Sequence, residues 1–111
     1  MAKDDYFVLA YILLKYLYKC LKSGARPDYS YLNYETKDFP ITEEYWNYLL
    51  ENLCKGGYIE GVVVIQPDNA PVIIRKTDNF RIAPHGIEYL LENSMMKKAA
   101  NAVKEISGLI P

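Results

Sequence analysis

The chain has 111 residues, of which 50% are hydrophobic and 24% charged, and its formal net charge is −1. This length favours one domain over residues 1–111 with a buried core, and the composition excludes a disordered chain. Domains that bind duplex DNA are often strongly basic, and this chain is not.

The sequence offers little that would indicate a metal site, a disulfide bond or a membrane-spanning segment. Its two cysteines, Cys20 and Cys54, lie far apart without a CxxC pair, and it has one histidine. We therefore expect two reduced thiols, no metal and no cofactor. The charged start, MAKDDY, is not typical of a signal peptide, and the apolar run 6–14 is far below the roughly 20 residues of a membrane span. We expect a cytoplasmic protein without membrane contact.

A first helix is predicted over residues 4–22, where apolar residues recur at helical spacing in two stripes on nearly opposite sides. The second stripe consists of Leu9, Leu13, Tyr16 and Cys20. Between the stripes runs a band of lysines, made of Lys15, Lys19 and Lys22. The band is most simply a solvated edge, although it could also touch phosphates.

The second stripe needs a packing partner, and the predicted last helix, 95–107, offers one. Its apolar face contains Met95, Ala99, Ala102 and Ile106, flanked by Met96 and Val103. Packing within the chain would give a closed monomer, whereas packing across a two-fold axis would give a homodimer. The candidate interface residues are Leu9, Leu13, Tyr16, Met95, Ala99 and Val103.

Turn formers and tyrosines fill the segment after the first helix, and Pro27-Asp28 predicts a short helix through about Asn33. A second long helix, 42–55, follows with Thr42 as its N-cap, and Gly56-Gly57 ends it. Its buried stripe is Trp46, Leu49, Leu50 and Leu53.

Alternating β-branched residues predict a hairpin with strands at 58–66 and 72–77, followed by a bend and a short extended piece at 80–82. Pro84 then suits the first position of a helix, with Ala83 as a weak N-cap. Gly86 allows this helix to approach the strands closely. Asn93-Ser94 is expected to separate it from the last helix.

The predicted order is helix, short helix, helix and β-hairpin, which is that of a winged helix, here followed by two additional C-terminal helices. We therefore predict an α+β fold of this type. The chain also resembles the YjcQ family of small bacterial and phage proteins over nearly its full length. The stretches that carry the resemblance are YFVLAYILLKYLY, DFPITEEYWNYLLENL, GGYIEG and GIEYLLENSMMKKAANAVKEI. It implies a winged-helix-like fold and brings no catalytic residues.

The leading hypothesis is a DNA-binding transcriptional regulator of bacterial or phage origin, with helix 42–55 for recognition and hairpin 58–77 as the wing. The candidate contacts to double-stranded DNA are Asn47, Tyr48, Lys55, Arg75, Lys76 and Arg81. The outward face of the helix also carries Glu44 and Glu51, which phosphates would repel.

The alternative is a protein–protein interaction module that does not bind DNA. Tyrosine is unusually frequent, with 11 residues, and tyrosine is enriched at protein interfaces. The alternative predicts an exposed aromatic patch around Tyr29, Tyr31 and Tyr48. We do not expect an enzyme, because the lone His85 has no nucleophile or orienting acid near it in sequence.

Overall fold

The structure is a computed structural model that describes residues 1–105. Within that range the chain is α+β, as predicted, with helices and one two-stranded antiparallel sheet. The elements are α1 (Tyr6–Ser23), α2 (Glu43–Lys55), β1 (Ile59–Ile65), β2 (Ile73–Ile82), α3 (Pro84–Glu92) and α4 (Ser94–Glu105). The last two residues of the predicted helix 95–107 lie outside the described residues.

Helix α1 lies at the centre of the core and contacts α2, α3, α4 and β2. Leu9 and Leu13 of the second stripe are fully buried, and this stripe has its partner in the same chain. Gly24 ends the helix with a left-handed conformation at φ 72°, as predicted. A helix with neighbours on several sides is apolar around most of its circumference, which explains its two stripes.

Four of the candidate interface residues are therefore core residues. Leu9 and Leu13 on α1, and Ala99 and Val103 on α4, are at most 1% exposed. They cannot form a free surface, because other parts of the same chain already cover them. Tyr16 and Met95, the other two candidates, are half-buried.

The buried stripe of α4 agrees with the prediction except at Met95. Ala99 and Ala102 of the predicted face are buried, and so are the flanking Met96 and Val103, whereas Met95 is only half-buried. The helix begins one residue earlier than predicted, and Asn93 caps it by accepting hydrogen bonds from the backbone N–H groups of Met95 and Met96 at 2.9 and 3.2 Å. The cap orients the first turn so that Met96 faces α1.

The predicted short helix at 27–33 is absent, and this prediction was wrong. A single turn forms instead, in which the N–H groups of Tyr31 and Leu32 donate to the Asp28 carbonyl. The Asp28 side chain accepts from both the N–H and the hydroxyl of Ser30. Such local side-chain bonds satisfy the backbone without a helix.

Strand β2 is continuous where a bend and a separate piece were predicted. The register passes from Val62↔Lys76 to Glu60↔Arg81, so four residues of β2 lie opposite Gly61 as a bulge. Gly61 adopts φ 79°, and a Cβ there would lie 2.1 Å from the Asn79 carbonyl oxygen. Only glycine fits at this bulge, where the backbones of the two strands come close together.

Helix α3 is seated on the start of β1. The Ala83 N–H donates to the Tyr58 carbonyl at 2.9 Å, and Ala83 is the N-cap without a side-chain hydrogen bond, as predicted. A Cβ on Gly86 would lie 2.0 Å from the same carbonyl oxygen, which confirms the predicted close approach.

Candidate interaction surfaces

The outward face of α2 has no free cation. Thr42 caps this helix by accepting from the Tyr45 N–H at 3.2 Å, and Glu44 is exposed in its first turn. At the other end, the Lys55 Nζ lies 2.9 Å from a Glu51 carboxylate oxygen. Tyr48 is 57% exposed on the same helix. The charge of Lys55 is thus balanced, and the face remains acidic.

Lys76 is the clearest departure from the predicted DNA contacts. It lies on the inner side of the hairpin, where its Nζ donates to the Leu32 carbonyl at 2.8 Å. The same atom lies 5.3 Å from the Tyr29 ring centre and 5.6 Å from that of Trp46. Burial lowers the pKa of Lys76. This ammonium anchors the loop before α2 to the hairpin and is not presented to a phosphate.

The two arginines of the hairpin differ in their partners. Arg81 pairs with the Glu60 carboxylate across the strands. Arg75 is exposed and, among residues 1–104, lies beyond 4.0 Å from every carboxylate oxygen. Of the candidate cations on α2 and the hairpin, Arg75 alone is both outward-facing and unpaired in the described part of the chain. Asn47, the remaining candidate on α2, is half-buried.

The tyrosine patch predicted for the alternative function does not form. Tyr29 donates its hydroxyl to the Thr77 carbonyl, and Tyr31 donates to Asp38 at 2.7 Å. Tyr31 also packs on Tyr16, with ring centres 4.6 Å apart. Both Tyr29 and Tyr31 are half-buried because they fasten the loop 24–42 to the body of the domain.

An apolar surface does exist, on the outer side of the hairpin. Cross-strand pairing places Val63 opposite Arg75 and Ile65 opposite Ile73. The apolar members of this group are exposed by 47% (Val63), 38% (Ile65) and 44% (Ile73). We call these four residues the outer hairpin face. The inner side of the same strands packs Val62 and Ile74 against the core.

Sequence reasoning missed this surface, although the alternation of the strands carried a signal. Residues with odd and even numbers point to opposite faces of a strand. Since Lys76 and Ile74 face inward, Arg75 and Ile73 must face outward. Both faces of the hairpin are apolar, so hydrophobicity by itself did not distinguish the core side from the solvent side.

The lone histidine lies on the surface beside an aromatic ring. His85 is exposed and stacks on Tyr58, with ring centres 5.1 Å apart. In the part of the chain that the structure covers, no cluster of three or more His, Cys, Asp or Glu side chains could hold a metal ion. None of the helices there is long and apolar enough to cross a membrane.

Comparison with known proteins gives one result. A family model described as YjcQ protein matches residues 11–109, which confirms the resemblance seen in the sequence. Searches of curated proteins and of solved structures give no significant match.

Proposed function

The chain belongs to the YjcQ family, and we propose that it is a cytoplasmic protein-interaction module on a winged-helix scaffold, with the outer hairpin face as its contact surface. The observation that carries this proposal is the exposure of Val63, Ile65 and Ile73 beside an unpaired Arg75. The order α1, α2 and hairpin supports the winged-helix assignment, with a single turn at Asp28 in place of the short second helix.

The outer hairpin face shares two features with protein interfaces. Interface cores are more apolar than the rest of the protein surface, and arginine is enriched there while lysine, glutamate and aspartate are depleted. Valine and isoleucine have few rotamers, so little side-chain freedom is lost when a partner covers them. Covering the exposed halves of three such side chains contributes on the order of 3 kcal/mol. A stable complex therefore needs further contacts, for which Arg75 is placed at the edge of the apolar group.

The second candidate is the DNA-binding regulator, which the element order and the free Arg75 favour. Duplex binding typically uses about 6–10 phosphate contacts from lysine and arginine. On the proposed recognition elements, Lys55 and Arg81 are paired with carboxylates, and Lys76 is engaged inside the domain. These placements lead us to rank the DNA-binding function below the interaction module.

The triple variant V63T/I65T/I73T tests the interaction module. Threonine keeps β-branching, so the hairpin should form while its outer face becomes polar. Wild type and variant are coupled to beads, and proteins retained from a lysate of the source cells are quantified by mass spectrometry. We expect at least one protein that wild type retains and the triple variant loses. L21Q, which polarises an exposed leucine on α1, serves as the control and should retain it.

Two outcomes would contradict the proposal. One is equal retention of every protein by wild type and the triple variant. The other is binding of a labelled random duplex that weakens steeply between low and physiological salt and is lost in R75E, as DNA recognition requires. Fluorescence anisotropy measures the duplex binding directly.

A further inference from the structure

A groove of about 470 Å³ lies between α1, α3 and α4, away from the hairpin. Its apolar lining includes Leu90 and Leu91 of α3 and Met96 and Ala100 of α4. Leu91 is 55% exposed and offers the groove an apolar contact. The remaining lining comes from tyrosines of α1 and from lysines. We call this feature the lysine groove.

The charge of the lysine groove has one sign. Its rim carries Lys15, Lys19 and Lys22 of α1 and Lys97 of α4, and none of the described residues that line it is acidic. Among the described residues, none of these four ammonium groups lies within 4.0 Å of a carboxylate oxygen. Four uncompensated lysines around an apolar floor form a site for an anionic, partly apolar ligand.

Two of the lysines are held along the groove by aromatic rings. The Lys22 Nζ lies 4.5 Å from the centre of the Tyr18 ring, and the Lys15 Nζ lies 5.6 Å from that of Tyr11. Both rings line the groove. Such cation–π contacts favour positions of the ammonium groups at the rim over free rotation in solvent.

The arrangement of the charges indicates what kind of ligand fits. Lys15, Lys19 and Lys22 recur at helical spacing along one side of α1, over about 10 Å, and Lys97 lies on the opposite wall. A fatty acid has one charge at one end and would leave most of this row unused. A nucleic-acid backbone has many charges but gains nothing from the apolar lining.

A helix with an apolar stripe bordered by acidic residues uses both parts of the site. Its apolar side chains would cover Leu91 and Ala100, the apolar lining residues that the chain itself does not bury, and its carboxylates would reach the lysines on the two walls. This is the helix-in-groove mode of recognition. We propose that the lysine groove binds an acidic amphipathic helix of a partner protein. The proposal does not depend on the outer hairpin face.

Two fluorescein-labelled peptides of about 18 residues, or five turns, test the charge requirement. Both have leucine at helical spacing; one has glutamate beside the leucines, and the other has lysine at the same positions. Anisotropy titrations should show binding of the acidic peptide that weakens with added salt, and no binding of the basic one. Equal binding of the two peptides, or binding of neither, would overturn the proposal.

Variants then locate the site. K15Q/K19Q should weaken binding of the acidic peptide about five-fold, as expected for the loss of two surface ion pairs, and L91Q should weaken it as well. The charge control K3Q/K37Q and the hairpin variant V63T/I65T/I73T should bind like wild type. Loss of binding in either control would refute the location.

Two further measurements distinguish the proposed partner helix from other possible occupants of the lysine groove. If L91Q has no effect, and random duplex DNA displaces the peptide, the groove is a general polyanion site and the proposal is wrong. If sedimentation equilibrium shows a dimer of wild type that K15Q/K19Q dissociates, the occupant is a second copy of this chain, and a foreign helix is excluded. A monomeric wild type that binds the acidic peptide supports the proposal.

Discussion

Replacing Gly86 with alanine tests how α3 is seated on the hairpin. A Cβ at this position would lie 2.0 Å from the Tyr58 carbonyl oxygen and 2.9 Å from Cγ1 of Ile82. The Tyr58 carbonyl also accepts the hydrogen bond from the Ala83 N–H at 2.9 Å. It cannot move away from the new methyl group without breaking that bond. The clash is with backbone, so no change of rotamer relieves it.

The expected change in the free energy of unfolding is the sum of three contributions, one stabilising and two destabilising. Alanine is favoured over glycine inside a helix by about 1 kcal/mol. Inserting a methyl group into a packed contact costs about 1–3 kcal/mol, and a contact with backbone belongs at the upper end. The lost hydrogen bond adds about 1 kcal/mol. We therefore expect G86A to lower the free energy of unfolding by about 3 kcal/mol and Tm by on the order of 10 °C.

Urea denaturation followed by circular dichroism measures this loss, and G24A is the matched control. Gly24 has φ 72° and nothing within 4 Å of an added Cβ, so its replacement introduces backbone strain without a clash. It should cost about 1 kcal/mol. If G86A is no more destabilised than G24A, α3 is not packed on the Tyr58 carbonyl, and our account of this junction is wrong.

Three further predictions concern stability. Y31F removes the hydrogen bond to the buried Asp38, whose other carboxylate oxygen has no hydrogen-bond partner among the described residues. It should cost about 2 kcal/mol in urea denaturation, whereas Y48F, at an exposed ring, should cost almost nothing; equal effects would contradict this. Burial raises the pKa of Tyr6 from 10.0 to about 12. The folded chain therefore holds the phenolic proton of Tyr6 more tightly than the unfolded chain does. The contribution of Tyr6 to the free energy of unfolding should be fully present below about pH 10 and be lost between pH 10 and 12. An equally steep fall in Y6F would disprove the role of Tyr6. A83S supplies the side-chain hydrogen bond that the N-cap of α3 lacks and should raise the free energy of unfolding by about 1 kcal/mol. A free energy of unfolding below that of wild type would show that the serine hydroxyl has no hydrogen-bond partner there.

Much of the fold could be predicted because its signals are local. Thr42 caps α2, Gly24 ends α1 and Asn93 separates α3 from α4, each through hydrogen bonds or backbone angles within a few residues. Helical periodicity likewise indicated that α1 is covered on two sides. These features depend on nearest neighbours along the chain, and so sequence patterns report them well.

The loop 24–42 shows where local patterns fail. Pro27-Asp28 favours a helix start, but Asp28 instead closes a turn with Ser30. Tyr31 then reaches Asp38, and Tyr29 reaches a carbonyl of β2. Contacts to distant parts of the chain stabilise this loop more than a short helix would, because an isolated helix of two turns is not stable by itself.

The sequence by itself determined the class of fold, the helix ends and membership of the YjcQ family, since caps, glycines and apolar periodicity act over short distances. Only the tertiary structure decided which charges are available to a partner. Lys76 and Arg75 are adjacent in sequence, yet one is tied to Leu32 and the other faces solvent. That difference arises because neighbouring residues of a strand point to opposite sides, and only the packing of the sheet makes one side the interior.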